Sequence, residues 1–402
     1  MAGRTKFSAA SSPKRFWGYE HMNFDLTEEQ QLLKDSVTRL LADRYSFENR
    51  KKFQAGPEGW SQDIWRQYAE LGLLGVAFPE ADGGFGGGPV ETMLIMEAFG
   101  KALALEPYLA TIVLAGGLIR RAGNDEQRAA LIPPIAAGEL RLAFAHAERQ
   151  SGHDLFDIGA SARKDGAAFV LNGEKGLVLH GDTADKLVVS ARSAGSRRDL
   201  AAIGLFLVDA QAEGVSRRGY RTQDGMRAAE ITLTNVRVDP QNVLGDPENA
   251  YLLIERVADE AIAASGAEAV GAMSEALDMT VDYLKTRKQF GVAIGAFQAL
   301  QHRASDMVVA LEQARSMMML ATMMAADDNA AERRKAISAA KVQVGRSSRF
   351  IGQQSIQLHG GIGMTMEYKL GHLFKRLTMI DLMFGDVDYH LERLSRSDGL
   401  IR

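Results

Sequence analysis

Three long segments in the last part of the chain contain no proline: Leu253 to Arg287, Phe297 to Ala326, and Ala331 to His359. Proline removes a helical hydrogen bond and clashes with the preceding turn, so segments this long and free of it read as helices. A soluble helix of that length cannot bury its apolar face alone. Such helices pack side by side, and residues 246–402 are therefore expected to form a four-helix-bundle-like C-terminal domain. Met317, Met318, Met319, Met323 and Met324 fall on the second segment. They read as bundle core rather than a ligand box, because the flexible thioether fills irregular gaps.

The rest of the chain divides in two. Residues 23–140 read as an N-terminal helical domain. Thr27 and Gln30 form a capping-box pair at its start. Leu32, Leu33, Val37, Leu40 and Leu41 then recur at a spacing suited to one helical face. The loop Pro79 to Gly88 interrupts, and Pro89 opens a further helix, since its missing N–H costs nothing at a first helical position. The glycines between Gly83 and Gly100 are not followed by a phosphate-binding lysine, nor set between a strand and a helix, so they read as an interhelical loop. Residues 141–245 change character. RLAFAHA, AAFVLNG, KGLVLHG, KLVVSAR, IGLFLVD and AEITLTNVRV are short β-branched or aromatic runs separated by turn residues. They predict a middle antiparallel β-barrel or sandwich, with a hairpin turn at Asn172-Gly173. The order is helical, β, helical: an α+β multidomain chain.

Composition narrows the class. A net charge of -4 with no basic block gives no nucleic-acid footprint. The absence of cysteine removes disulfides, thiolate metal sites and cysteine nucleophiles, and fits a reducing compartment. No apolar run is long enough for a membrane-spanning helix. The eight histidines are scattered, with no pair at helical spacing, so no metal site is expected. A cytoplasmic location is expected. Residues 1–22 are rich in Ser and basic residues, and read as a tail or a mis-assigned start; as a transit segment they would direct the chain to the mitochondrial matrix.

Two segments carry chemistry. RKQFGVAIGAFQALQH (Arg287 to His302) sets a guanidinium, an aromatic ring and an amide at fixed offsets, in Arg287, Phe290 and Gln298. Arginine is the side chain best shaped to hold a pyrophosphate through two parallel hydrogen bonds. QLHGGIGMT (Gln357 to Thr365) brings Gln357 together with Gly360 and Gly361, where a missing Cβ lets backbone approach a ligand. Together these segments resemble the flavin-binding signature of the acyl-CoA dehydrogenases, and the likeness extends from Phe24 to Ser395. It implies an FAD cofactor held by Arg287, Phe290, Gln298, Gln357, Gly360 and Gly361. It also implies an acyl-CoA substrate oxidised to its α,β-enoyl form, and electrons passed to an electron-transfer flavoprotein. Family flavin sites are shared between subunits, so a homodimer or homotetramer is implied.

Some positions depart from the family pattern. Aligned from Gln357, the usual catalytic glutamate falls on Phe384, within LMFGD. Some family members carry that base on the helix before the arginine motif, and there the position falls on Ala261. Glu260 stands one residue away and is the leading base candidate, followed by Asp259 and then Asp386. Each also reads as a solvated or capping acid. Glu148, Gly152 and Asp154 match the family's flavin-facing loop, while Leu177 and Leu179 replace its Trp-x-Thr pair and leave no hydroxyl at the second position. The alternative is a non-catalytic partner subunit in a heterotetramer with a paralogous chain that owns the glutamate. A flavin oxidase or monooxygenase on the same fold is a third reading.

Overall fold

The capping box expected at the first helix is formed. The Thr27 hydroxyl accepts from the Gln30 N–H at 3.2 Å, and the Gln30 side chain accepts from the Thr27 N–H at 3.0 Å. The computed structural model describes residues 25–397, so the tail expected at 1–22 lies outside them. Six α-helices come first: α1 (Glu28–Arg44), α2 (Phe47–Ala55), α3 (Gln62–Glu70), α4 (Pro89–Ala102), α5 (Gly116–Ala122) and α6 (Asp125–Ala136). A buried π-helical stretch, Leu109–Ala115, leads into α5. On α1 the apolar stripe is narrower than its sequence suggests. Val37 and Leu41 are buried, but Leu32 is 66% exposed, because one residue turns a side chain about 100° away from the face of Leu33.

The middle segment supplies β1 (Leu142–Ala145), β2 (Ser161–Asp165), β3 (Ala168–Leu179), β4 (Lys186–Arg192), β5 (Ile203–Asp209), β6 (Val215–Arg221), β7 (Arg227–Val238) and β8 (Val243–Leu244). They form one sheet in the order β6-β7-β3-β2-β4-β5-β8, with β1 pairing parallel to β4. The hairpin expected at Asn172-Gly173 is not there. β3 runs through both residues, with a register shift against β7 between Leu171 and Gly173. Gly173 is needed for a close approach instead: a Cβ there would lie 2.6 Å from the Ala160 Cβ. The real turn is at Gly166-Ala167, where Gly166 takes φ 62° between β2 and β3.

The long helices follow: α7 (Tyr251–Thr286), then a small hairpin of β9 (Lys288–Gln289) and β10 (Val292–Ala293), then α8 (Gln298–Ala325), α9 (Ala330–His359), α10 (Lys369–Leu382) and α11 (Val387–Ser397). α7 packs against α4 almost backbone to backbone. A Cβ on Gly271 would sit 1.9 Å from the Glu97 carbonyl oxygen, and one on Gly100 would sit 1.8 Å from that of Glu268. Of the methionine cluster only Met318 is fully buried. Met323 is exposed, since α8 turns part of that run outward. A small apolar cluster of Ile262, Ala263, Ala321, Ala325, Ile337 and Ala340 joins α7, α8 and α9, and Phe384 rests on it. Among the described residues no helix is long and apolar enough to cross a membrane.

A buried ion network ties the three parts together. Arg376 on α10 grips Glu268 on α7 through two bonds of 2.6 and 2.7 Å, and reaches Asp224, in the β6–β7 turn, at 2.7 Å. Arg50 on α2 donates to the Asp224 carbonyl at 3.1 Å and to the Leu103 carbonyl at 2.8 Å. All four side chains are buried.

Candidate functional site

The two motifs meet at one end of the bundle. α7 ends at Thr286 and α9 at His359, and the Tyr283 ring stacks on the His359 ring at 4.4 Å. Arg287 caps α7 with extended backbone, its N–H donating to the Tyr283 carbonyl. The hairpin then turns over Phe290 and Gly291, both at positive φ, a two-residue turn that matches strand twist. Phe290 projects at the tip, 91% exposed, edge-on to Phe297 at 6.1 Å. Gln298 opens α8, and Gln357 lies on the last turn of α9. Gly360 leaves that helix at φ 64°, and a Cβ on Gly360 or Gly361 would meet nothing within 4 Å. Arg287, Phe290, Gln298, Gln357, Gly360 and Gly361 are all exposed. Side chains so placed have donors and an open backbone cradle free for a ligand carried against this face. That fits a dinucleotide pyrophosphate.

A second feature lies at the start of the same helices. A cleft of about 810 Å³ opens between the loop 151–156, the first turn of α7, the start of α9 and α11. Arg198, Arg334, Lys335, Arg393 and Arg396 line it against Asp154, Glu255 and Glu392. Some of this charge is already paired: Arg334 with Glu255 at 3.2 Å, Arg198 with Asp154 at 2.7 Å. Cations still outnumber acids, which suits a phosphorylated ligand. Ser338 lines the cleft and bonds the His390 ring at 3.1 Å, and that ring's other nitrogen bonds the Phe384 carbonyl at 3.0 Å. Burial lowers the His390 pKa to about 3, so the ring is neutral, with one N–H to donate. The cleft is thus tied to the turn at Phe384 and Gly385, where both residues have positive φ.

No carboxylate stands in that turn at the family's glutamate position. Asp386 instead caps α11, accepting from the Tyr389 N–H at 2.9 Å, and this bond holds its carboxyl below the usual range. Asp259 is buried and bonded to Arg333 at 2.9 Å; burial raises its pKa to about 6 against the pull of Arg333. Glu260 has both oxygens engaged. Oε2 accepts from Arg120 at 2.9 Å, Oε1 accepts from Arg121, and Arg256 Nε lies 3.6 Å from Oε1. Ala261 is fully buried beside it.

In the middle segment, Glu148 pairs with the buried Lys175 at 2.7 Å and accepts from the N–H groups of Gly159 and Ala160. It therefore pins the loop to the sheet. Gly152 takes φ 56° in open space, and Asp154 sits at the cleft mouth. Leu177 is 45% exposed at φ 48°, and Leu179 is half-buried. The residues present, Arg287 with the open backbone at Gly360 and Gly361, thus fit the pyrophosphate of FAD. Neither Leu177 nor Leu179 offers a side-chain hydrogen-bonding group. The cleft arginines were not singled out from the sequence. Their signals were the pairs Arg333-Arg334 and the ERLSRS run ending at Ser397.

Fold and sites together define a helical, β, helical chain with an exposed arginine-glycine face at one end of its bundle and a cationic cleft near the other. The chain matches "Acyl-CoA dehydrogenase, N-terminal domain" over residues 27–139, the middle domain over 143–237 and the C-terminal domain over 252–397. It is 30% identical over 357 residues to acyl-CoA dehydrogenase FadE12 of Mycobacterium tuberculosis, covering 86% of this chain and 89% of that one. It is 29% identical to the probable acyl-CoA dehydrogenase YngJ of Bacillus subtilis, over 95% of this chain and all of that one. Among solved structures, a variant of the Tcur3481-Tcur3483 steroid ACAD superposes with a TM-score of 0.83 at 32% identity, covering 92% of this chain and 97% of that one. The chain belongs to the acyl-CoA dehydrogenase family, whose cofactor is FAD.

Proposed function

We propose that this chain works in the α,β-dehydrogenation of an acyl-CoA thioester, with electrons passed to an electron-transfer flavoprotein. The observation that carries the reading is the joint exposure of Arg287, Phe290, Gln298, Gln357, Gly360 and Gly361 at the stacked ends of α7 and α9. Bound FAD would supply the acceptor for the hydride leaving the substrate Cβ. Arg287 would hold the pyrophosphate, and Gly360-Gly361 would admit it without steric conflict. The cationic cleft would take the phosphates of coenzyme A, which directs the thioester toward the turn at Phe384. A homodimer or homotetramer would follow, because a site exposed to this degree is completed by a second subunit.

A second reading is favoured by one position. Phe384 cannot accept a proton, and Glu260, the nearest alternative, has both oxygens bound to arginines. The glutamate would then come from a paralogous subunit in a mixed assembly, to which this chain lends its arginine motif. The Tcur3481-Tcur3483 structure is named for two components, and that supports such an arrangement. The test is to purify the chain alone and titrate it anaerobically with acyl-CoAs of several lengths while recording the visible spectrum. Bleaching of bound flavin supports self-sufficient dehydrogenation. Bleaching only after a paralogous glutamate-bearing subunit is added supports the mixed assembly. A chain that binds neither FAD nor such a partner sinks both.

A further inference from the structure

Glu260, Arg120, Arg121 and Arg256 surround a feature that the reading above does not use. A partly enclosed pocket of about 340 Å³ lies between α4, the π-helical stretch, α5, α7 and the end of α8. Met93, Ile112, Val113, Ala264 and Ala325 make its inner wall, and all are buried. The three arginines and Glu260 stand at its other side, with the fully exposed Asp328 beyond them. The two ends are chemically unlike: hydrocarbon within, guanidinium at the rim.

The rim is positively charged beyond what its acids balance. Three guanidinium groups share the single inward carboxylate of Glu260, and their side chains are only 12 to 32% exposed. Arg256 Nε is buried without a hydrogen-bond partner among the described residues. Excess positive charge held partly out of water is relieved by an anion, and arginine forks best match a carboxylate. The pocket also lies on a different face of α7 from the cationic cleft. The cleft takes Tyr251 and Glu255 and the pocket takes Arg256 and Glu260, about 100° apart around the helix.

We propose that this pocket binds a small free carboxylate with a hydrocarbon tail, its head held by Arg120, Arg121 and Arg256 and its tail laid on the Ile112, Val113 and Ala264 wall. The volume sets the size: at about 30 Å³ for each water-sized unit, it holds on the order of ten non-hydrogen atoms, as in an acid of about eight carbons. Head and tail must both be present, since neither the charge nor the apolar wall is satisfied alone.

The test is calorimetric titration of the FAD-loaded protein with octanoate, octanol and acetate, repeated on Arg121→Gln and Val113→Phe. Arg121 is chosen because its bond is to Glu260 at the rim, whereas Arg120 also anchors the Ala77 carbonyl. Octanoate should bind to the unaltered protein, and octanol and acetate should not at the same concentrations. Arg121→Gln should weaken octanoate by about tenfold or more, the loss of one charge-assisted contact. Val113→Phe, which fills the wall and leaves the arginines, should abolish it, with the far-ultraviolet spectrum and bound FAD reporting that the variant is folded. Absence of octanoate binding to the unaltered protein overturns the proposal. So does stoichiometric displacement of octanoate by octanoyl-CoA, which would place the acid in the acyl-CoA site. Because flavin content and acyl-CoA bleaching are read separately, failure here leaves the dehydrogenase reading intact.

Discussion

Replacing Glu260 by glutamine separates two roles the sequence leaves open, general base and counter-charge for the arginines. Glutamine keeps the shape and one acceptor oxygen but removes the charge. Arg120 at 2.9 Å, Arg121, and Arg256 at 3.6 Å would then face one another with no inward carboxylate. A unit pair near 4 Å is worth about 4 kcal/mol at an effective dielectric of about 20, before desolvation is counted against it. The side chains are 12 to 32% exposed, and glutamine still accepts one bond, so about 2–3 kcal/mol of stability should be lost. The assay is thermal and urea unfolding of the FAD-loaded protein beside acyl-CoA turnover or α-proton exchange. The expected result is a midpoint lowered by several degrees, with turnover per folded site unchanged. A general base typically contributes about 10²–10⁴-fold, so a variant that keeps its full stability and loses turnover on that scale refutes the counter-charge argument.

Arg287→Ala should sharply reduce retained FAD with little effect on the melting of the stripped protein, because Arg287 is exposed; equal flavin content after gel filtration would count against its role. Glu106 is fully buried among the Tyr45 and Tyr68 hydroxyls and the Ser61 N–H, and burial raises its pKa to about 7. Its stabilising contribution is therefore complete below about pH 4.5 and lost as pH rises through about 7, roughly 3 kcal/mol at about 1.4 kcal/mol per pKa unit. Glu106→Gln should flatten the stability profile across that window, and an unchanged slope would show that the group does not titrate there. Light scattering of the flavin-loaded protein should give a dimer or tetramer, and a monomer with full flavin occupancy would contradict a site completed by a neighbour.

The long helices were legible because nothing in them competes with the helical period. α7, α8 and α9 begin and end within two residues of the bounds set by proline-free spacing. Asn172-Gly173 misled because a glycine that permits a turn equally permits a bulge beside Ala160, and only the neighbouring strand decides which. The Asp165-Gly166 pair carried a similar local signal, and the true turn is Gly166-Ala167, just after Asp165. The flavin motifs were readable because each is continuous in sequence. The cationic cleft was not, because Arg198, Arg334 and the Arg393, Arg396 pair come from three separate parts of the chain whose convergence depends on packing. The involvement of Glu260 with Arg120 and Arg121 joins residues some 140 positions apart, beyond any reading of local spacing.

The Arg376, Glu268, Asp224 and Arg50 network bears on how such chains can be recombined. Asp224 belongs to the middle sheet, yet the cation that neutralises it sits on α10, and Arg50 reaches its carbonyl from α2. A chimera that imports the middle segment of a relative must therefore bring an acid to the same turn, or leave Arg376 with one carboxylate where it had two. Conversely, the middle sheet transplanted by itself would carry a buried-type carboxylate into water or into an unmatched interface. Exchange between relatives is then most constrained at this junction, where a change in one segment demands its counterpart in another.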